Sequence, residues 1–119
     1  MEGILYEKIK KIVVVLALLA ILVPYTNAKA TTDMVTSDGH SFNNDWEASE
    51  TSSRYKYIYG YNTSWINEDY VHAIHYDYDH YAAVSNGGGG SGKDSAGPNS
   101  WAKIEITHKS SAVNYGIIY

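Results

Sequence analysis

Five ionisable side chains crowd into nine positions: His72, His75, Asp77, Asp79 and His80. Histidine and aspartate are the residue types that hold zinc or move protons. On an extended strand, side chains on one face recur about every 7 Å. His75, Asp77 and Asp79 would share a face at that spacing. A metal ion needs its ligands at about 2 Å in a closed geometry, which such a row does not offer without a sharp bend. The expectation is therefore a solvated, hydrogen-bonded face with no metal site.

A second stretch, Gly87-Gly88-Gly89-Gly90-Ser91-Gly92-Lys93, has glycines and a lysine in the order of a phosphate-binding loop. That loop needs a serine or threonine after the lysine and a helix behind it. Asp94 occupies the hydroxyl position, and no helical pattern follows. No serine lies in a G-x-S-x-G elbow either. No catalytic residue and no cofactor site is expected, which disfavours a secreted hydrolase and leaves a binding function.

The aromatic residues carry more information. Tyr55, Tyr57, Tyr59 and Tyr61 alternate with Arg54, Lys56, Ile58 and Gly60. A period of two with aromatic residues is a strand signature. One face of such a strand is a ladder of rings. Tyrosine rings bury a large area and keep a polar tip, so a ladder serves either as core or as a recognition strip. With few aliphatic residues available, about half of these rings are expected in the core and the rest on a binding surface.

The segments that would position these residues are extended. Val71 to Val84 alternates, and its length predicts a bulge or bend. Asn86 to Asn99 reads as one mobile, glycine-rich connection. Trp101 to His108 alternates again, with Ala102, Ile104, Ile106 and His108 as its core face. Val113, Tyr115, Ile117 and Tyr119 form a last alternating run. Asp45 to Ser53, with Trp46, fits either a short strand or a loop. No stretch after residue 30 has a 3.6-residue apolar period. The fold class predicted is all-β, a small antiparallel β-sandwich of about four to six strands.

The start of the chain reads differently. Lys8, Lys10 and Lys11 precede an uninterrupted apolar run, Ile12 to Val23, then Pro24 and Ala28-Lys29-Ala30. A basic start, a short apolar run and an A-x-A site form a secretory signal peptide. The run falls short of the about 20 residues that span a bilayer, which favours a cleaved leader over a retained anchor. Residues 1–30 are thus read as a helical signal peptide cleaved near Ala30, 31–44 as a flexible arm, and 45–119 as the β domain. Cleavage would leave 5 basic and 11 acidic residues, a net charge of −6. That sign repels phosphate backbones and excludes nucleic acid as a partner. It also disfavours a cationic membrane-active helix. The chain has no cysteine, so a domain of this size must be held by ring burial and sheet hydrogen bonds.

The C-terminal half is similar to a known family. His80-Tyr81-Ala82-Ala83-Val84-Ser85-Asn86, a glycine-rich spacer, Gly92-Lys93-Asp94, Gly97 and Trp101-Ala102-Lys103 resemble the lactococcin 972 family of secreted bacteriocins. Tyr76 and Tyr78 ahead of His80, and the aromatic run Val113 to Tyr119, suit the same pattern. The similarity covers about residues 76 to 119. The N-terminal part departs from it, because a polar arm stands where the family has an early Gly/Tyr-rich strand. The resemblance implies a compact β-sandwich and an antibacterial activity. In that activity the cell-wall precursor lipid II is bound and septum formation is blocked without pores. It also implies export machinery and dedicated membrane immunity and transport proteins as partners. The resemblance supplies no individual binding residues. The contacts expected for such a ligand, from the tyrosine-lined face and the glycine loop, are Tyr55, Tyr57, Tyr59, Lys93 and Trp101, with Lys93 as a point charge toward a pyrophosphate. The alternative is a non-toxic secreted module that binds glycan or protein, and a homo-oligomer is open under either reading.

Overall fold

The computed structural model describes residues 30–119; the segment read as a signal peptide, apart from Ala30, lies outside them. The described residues contain eight strands and no helix. They are β1 (Thr32–Thr36), β2 (Trp46–Thr51), β3 (Tyr55–Asn62), β4 (Glu68–His75), β5 (His80–Asn86), β6 (Ser91–Ala96), β7 (Ala102–Thr107) and β8 (Val113–Ile118). They form two four-stranded antiparallel sheets, ordered β1-β8-β5-β6 and β2-β3-β4-β7. The all-β antiparallel expectation holds, with eight strands rather than four to six.

Three segments differ from the sequence reading. The expected flexible arm contains β1, which pairs with β8 from Thr32 opposite Ile118 to Thr36 opposite Asn114. Asp33 and Val35 turn inward there, and a polar composition hid a strand whose inward face is only two residues long. The alternating run Val71 to Val84 bends, as its length predicted, but the bend is a change of sheet that makes it two strands. Tyr76 to Asp79 makes the corner between them. The glycine-rich connection is a tight turn followed by β6, which pairs with β5 from Ser85 opposite Ser91 to His80 opposite Ala96. Asn86 builds that turn: its side-chain oxygen accepts the N–H groups of Gly88 and Gly90, each at 3.0 Å. Gly92 sits where β6 lies close on β7; a Cβ there would meet the Ile104 and Ile106 side chains at 3.0 Å, so they would have to shift.

The core lies between the sheets and mixes large rings with very small partners. Tyr57 and Tyr59 on β3 pair laterally with Ala73 and Val71 on β4. Ala82 and Val84 on β5 pair with Ile117 and Tyr115 on β8. Ala73, Ala82 and Ala102 have no exposed surface; their small side chains give the rings room to cross the sandwich. Ring contacts run Trp46 to Tyr59 at 6.0 Å, Tyr59 to Tyr115 at 5.1 Å, and Tyr57 to Tyr59 at 5.8 Å.

Ring burial forces a polar requirement, because each phenol brings an O–H into the interior. Acidic residues meet it for four of the tyrosines, whereas the buried Tyr115 hydroxyl has no partner. Tyr55 and Tyr57 both donate to Asp33 on β1, at 2.9 and 3.0 Å, tying the two sheets together. Tyr59 donates to Glu50 at 3.4 Å, and Tyr70 donates to Glu47 at 2.6 Å on the outer face. Burial, reinforced by Asp33, pushes the Tyr55 phenol up to about 12. Tyr57, Tyr70 and Tyr115 are pushed up further, mainly by burial.

Two measurements check this core. Asp33→Ala leaves two phenols short of an acceptor and should cost about 1–3 kcal/mol in urea unfolding. Adding Tyr55→Phe and Tyr57→Phe should recover part of it, since apolar replacement of both partners is nearly neutral. These raised phenols favour the neutral form in the fold, so their stabilisation is complete below the unfolded value near 10 and is lost as pH rises. An absorbance titration at 295 nm should show these tyrosines ionising only with unfolding, above pH 10.

Candidate ligand-binding end

Five large apolar or aromatic side chains are exposed among the described residues, and they divide between the two ends of the sandwich. Trp65 (88% exposed) and Ile66 occupy the tip of the β3–β4 hairpin. Tyr76 (38%), Tyr78 (52%) and Trp101 (41%) gather at the opposite end, on the corner from β4 to β5 and the turn before β7. Arg54, exposed in the turn from β2 to β3, joins the second group. Its guanidinium lies 5.3 Å from the Tyr78 ring centre and 5.8 Å from that of Tyr119. Tyr55 packs behind, 5.7 Å from Tyr119.

Three turns make this end, and all three are tied to residues 75 and 76. The Tyr76 N–H donates to the Arg54 carbonyl at 3.0 Å. The Asn99 N–H donates to the His75 carbonyl at 2.9 Å, with Asn99 in the left-handed region at φ 62°. Asparagine tolerates that region better than most residues. The buried His75 ring accepts the N–H groups of Asp77 and Tyr78 at Nδ1, each at 3.0 Å. Burial, with Arg54 nearby, pushes the His75 imidazole down, so the neutral form that can accept is favoured. His80, also buried, contacts the carbonyls of Tyr78 and Ala73 at 3.0 and 3.1 Å.

The expected contact residues are not brought together. Tyr57 is fully buried and Tyr59 nearly so, and their hydroxyls are bonded to Asp33 and Glu50. Both are core residues and must be removed from the expected contact set. Tyr55 is half-buried at the edge of the aromatic end. Lys93 lies on β6 on the outer face of the first sheet, 5.2 Å from the Tyr81 ring centre. Trp101 alone falls in the exposed group. Sequence reasoning missed Arg54 and treated Tyr76 and Tyr78 as strand positions. The signal was the Tyr76-Asp77-Tyr78-Asp79 run, whose two aspartates suit a turn. Among the described residues no group of three histidine or acidic side chains converges where it could hold a metal ion.

The other end is closed more tightly. Asp69 is fully buried on β4, and His108 Nδ1 lies 2.9 and 3.0 Å from its two oxygens. Burial raises the Asp69 carboxyl, and His108 offsets part of the rise. Phe42 stacks on His108 at 4.3 Å and His40 on Trp46 at 3.7 Å, fastening the β1–β2 connection over this end.

Across known proteins, no family model, curated protein or solved structure matches the chain. The geometry offers ring faces for stacking and a planar cation able to grip an anion bidentately, in an open surface rather than an enclosed cavity. If the exposed rings are surface groups, Tyr76→Ala and Trp101→Ala should each change unfolding stability by less than about 1 kcal/mol. Tyr57→Ala should cost about 3–5 kcal/mol. Urea denaturation of the three variants separates the surface rings from the core ring.

Proposed function

We propose that the chain is exported and that its β-sandwich is an antibacterial binding protein directed at a cell-wall precursor of the lipid II type. The observation that carries this reading is the Arg54 guanidinium lying against the Tyr78 and Tyr119 rings, at the end of the sandwich where Tyr76 and Trp101 are also exposed, in a domain of acidic composition. Rings of this kind stack on sugar faces and lipid-proximal groups. Arginine is suited to phosphate through paired N–H donors. Lipid II combines a saccharide with a pyrophosphate. The motifs similar to the lactococcin 972 family support the same reading, and they fall on β5, β6 and the start of β7.

Two features favour binding without pore formation. The strands run five to eight residues, whereas a strand that crosses a bilayer needs about 9–11. The described residues hold no helix long and apolar enough to cross a membrane. Export machinery and membrane immunity proteins are the partners this function calls for.

Protein beginning at Thr31 should inhibit growth or septation of a Gram-positive strain that lacks the cognate immunity genes, without leakage of cell contents. It should also be pulled down by vesicles containing lipid II. Arg54→Ala and Trp101→Ala should each weaken that capture at least about tenfold, the loss of roughly 1.4 kcal/mol of contact. Binding on a glycan array with no capture by lipid II and no growth inhibition would replace this reading with a non-toxic glycan-binding module.

A further inference from the structure

The aromatic end has an unusual internal support. A single imidazole nitrogen, His75 Nδ1, accepts the N–H groups of both Asp77 and Tyr78, each at 3.0 Å. The same residue's carbonyl accepts Asn99 N–H, and the next residue's N–H reaches the Arg54 carbonyl. The ring is buried, 4.3 Å from the Tyr119 ring centre and 5.0 Å from that of Tyr78. We infer that His75 is the positioning residue of the ligand-binding end, which is assembled only while its Nδ1 is unprotonated. The inference rests on the proposed role of that end for its functional meaning, and on the hydrogen bonds alone for its structural part.

The chemistry of the contact is one-sided. Two backbone donors point at one lone pair. A proton on Nδ1 removes the acceptor and sets three donors against each other at hydrogen-bond distance. The Asp77 and Tyr78 amides would then have to find water, which opens the corner carrying Tyr76 and Tyr78. The surroundings favour the neutral ring. Arg54 from the β2–β3 turn, the His80 ring from β5 at 6.4 Å, Tyr55 from β3 and Tyr119 after β8 face His75. Of the carboxylates, only Asp77 on its own turn favours a proton there. Burial comes first among the causes that push the group down.

The neighbouring His80 has the opposite hydrogen-bond demand. Its two nitrogens face two carbonyl oxygens, from Tyr78 and Ala73. A neutral ring can donate to one of them, and an imidazolium can donate to both. Tyr78 is therefore held from both sides, its N–H by His75 and its carbonyl by His80. The consequence for pH follows from the sign of the His75 shift. A histidine kept neutral in the fold contributes stability that is present above its unfolded value near 6.5 and is lost as pH falls. The corner should thus open on the acid side, before the rest of the sandwich.

The test is a proton–nitrogen NMR titration of the domain from pH 8 to pH 4, with His75→Asn beside the wild type. Asparagine offers a side-chain oxygen as acceptor and cannot ionise in this range. In the wild type, the Asp77 and Tyr78 amides should lose protection from exchange at least tenfold, together with His75 protonation. Core amides such as those of Tyr57 and Tyr115 should keep theirs. In His75→Asn the acid-dependent loss should vanish. Should the variant fail to fold, the wild-type titration alone decides. Amides of Asp77 and Tyr78 that stay protected after His75 has titrated would overturn the inference. So would equal acid sensitivity in the variant. Capture by lipid II vesicles at pH 7.5 and pH 5, run in parallel, should fall with amide protection. Absence of capture at both values counts against the proposed ligand, while the NMR result still decides the role of His75.

Discussion

Burying a phenol is costly unless its hydrogen finds an acceptor, and for four tyrosines of this domain that acceptor is a carboxylate, while the buried Tyr115 hydroxyl has none. Tyr55 and Tyr57 end on Asp33, Tyr59 on Glu50 and Tyr70 on Glu47. This requirement links two compositional features that look unrelated, the abundance of tyrosine and the acidic balance. A chain without cysteine has to gain its cohesion from area, and tyrosine gives area together with an obligation. Asp33 carries the largest share because it sits on a different sheet from the two rings it serves. The strand that bears it, β1, is consequently part of the core structure although it looks like a polar lead-in.

Close packing of rings also dictates where the small residues fall. Ala73, Ala82 and Ala102 line the space opposite the tyrosines. On the outer face of the first sheet, Gly116 pairs with Met34, and a Cβ at 116 would run into the Met34 side chain and the Asp33 backbone. β1 can therefore lie flat on β8 only with glycine at this position. The acceptor for the core phenols is in this way held by a residue with no side chain at all.

How much of this was legible in the sequence depends on the length of each signal. The tyrosine ladder of β3 and the alternations of β7 and β8 were readable because period two persists over six or more positions. β1 was not, since its alternation covers Asp33 and Val35 alone and one of these is charged. β6 was masked by glycines that read as mobile, although Gly92 is small for close contact with β7. The change of sheet at Tyr76 to Asp79 keeps the alternation almost unbroken, so the bend that the length implied could not be placed at these residues or recognised as a change of sheet. The expected contacts fell on Tyr57 and Tyr59 because a ladder of rings reads alike as core and as recognition strip, and here those two rings are core. The rings that reach solvent are the ones where alternation no longer means a sheet face. Arg54 could not be found by pattern, because its importance lies in reaching Tyr78 and Tyr119 from another turn.

The functional account rests on one end of the sandwich meeting a ligand through Arg54, Tyr76, Tyr78 and Trp101. The most direct measurement is chemical-shift mapping of the labelled domain as a short-chain, water-soluble lipid II is added. The account predicts saturable shifts confined to the three turns at residues 52–54, 76–79 and 97–101, with the Trp101 indole among the largest. Shifts centred instead on Lys93 and Tyr81, or on Trp65 at the opposite end, would contradict it, as would a spectrum that does not change at millimolar ligand.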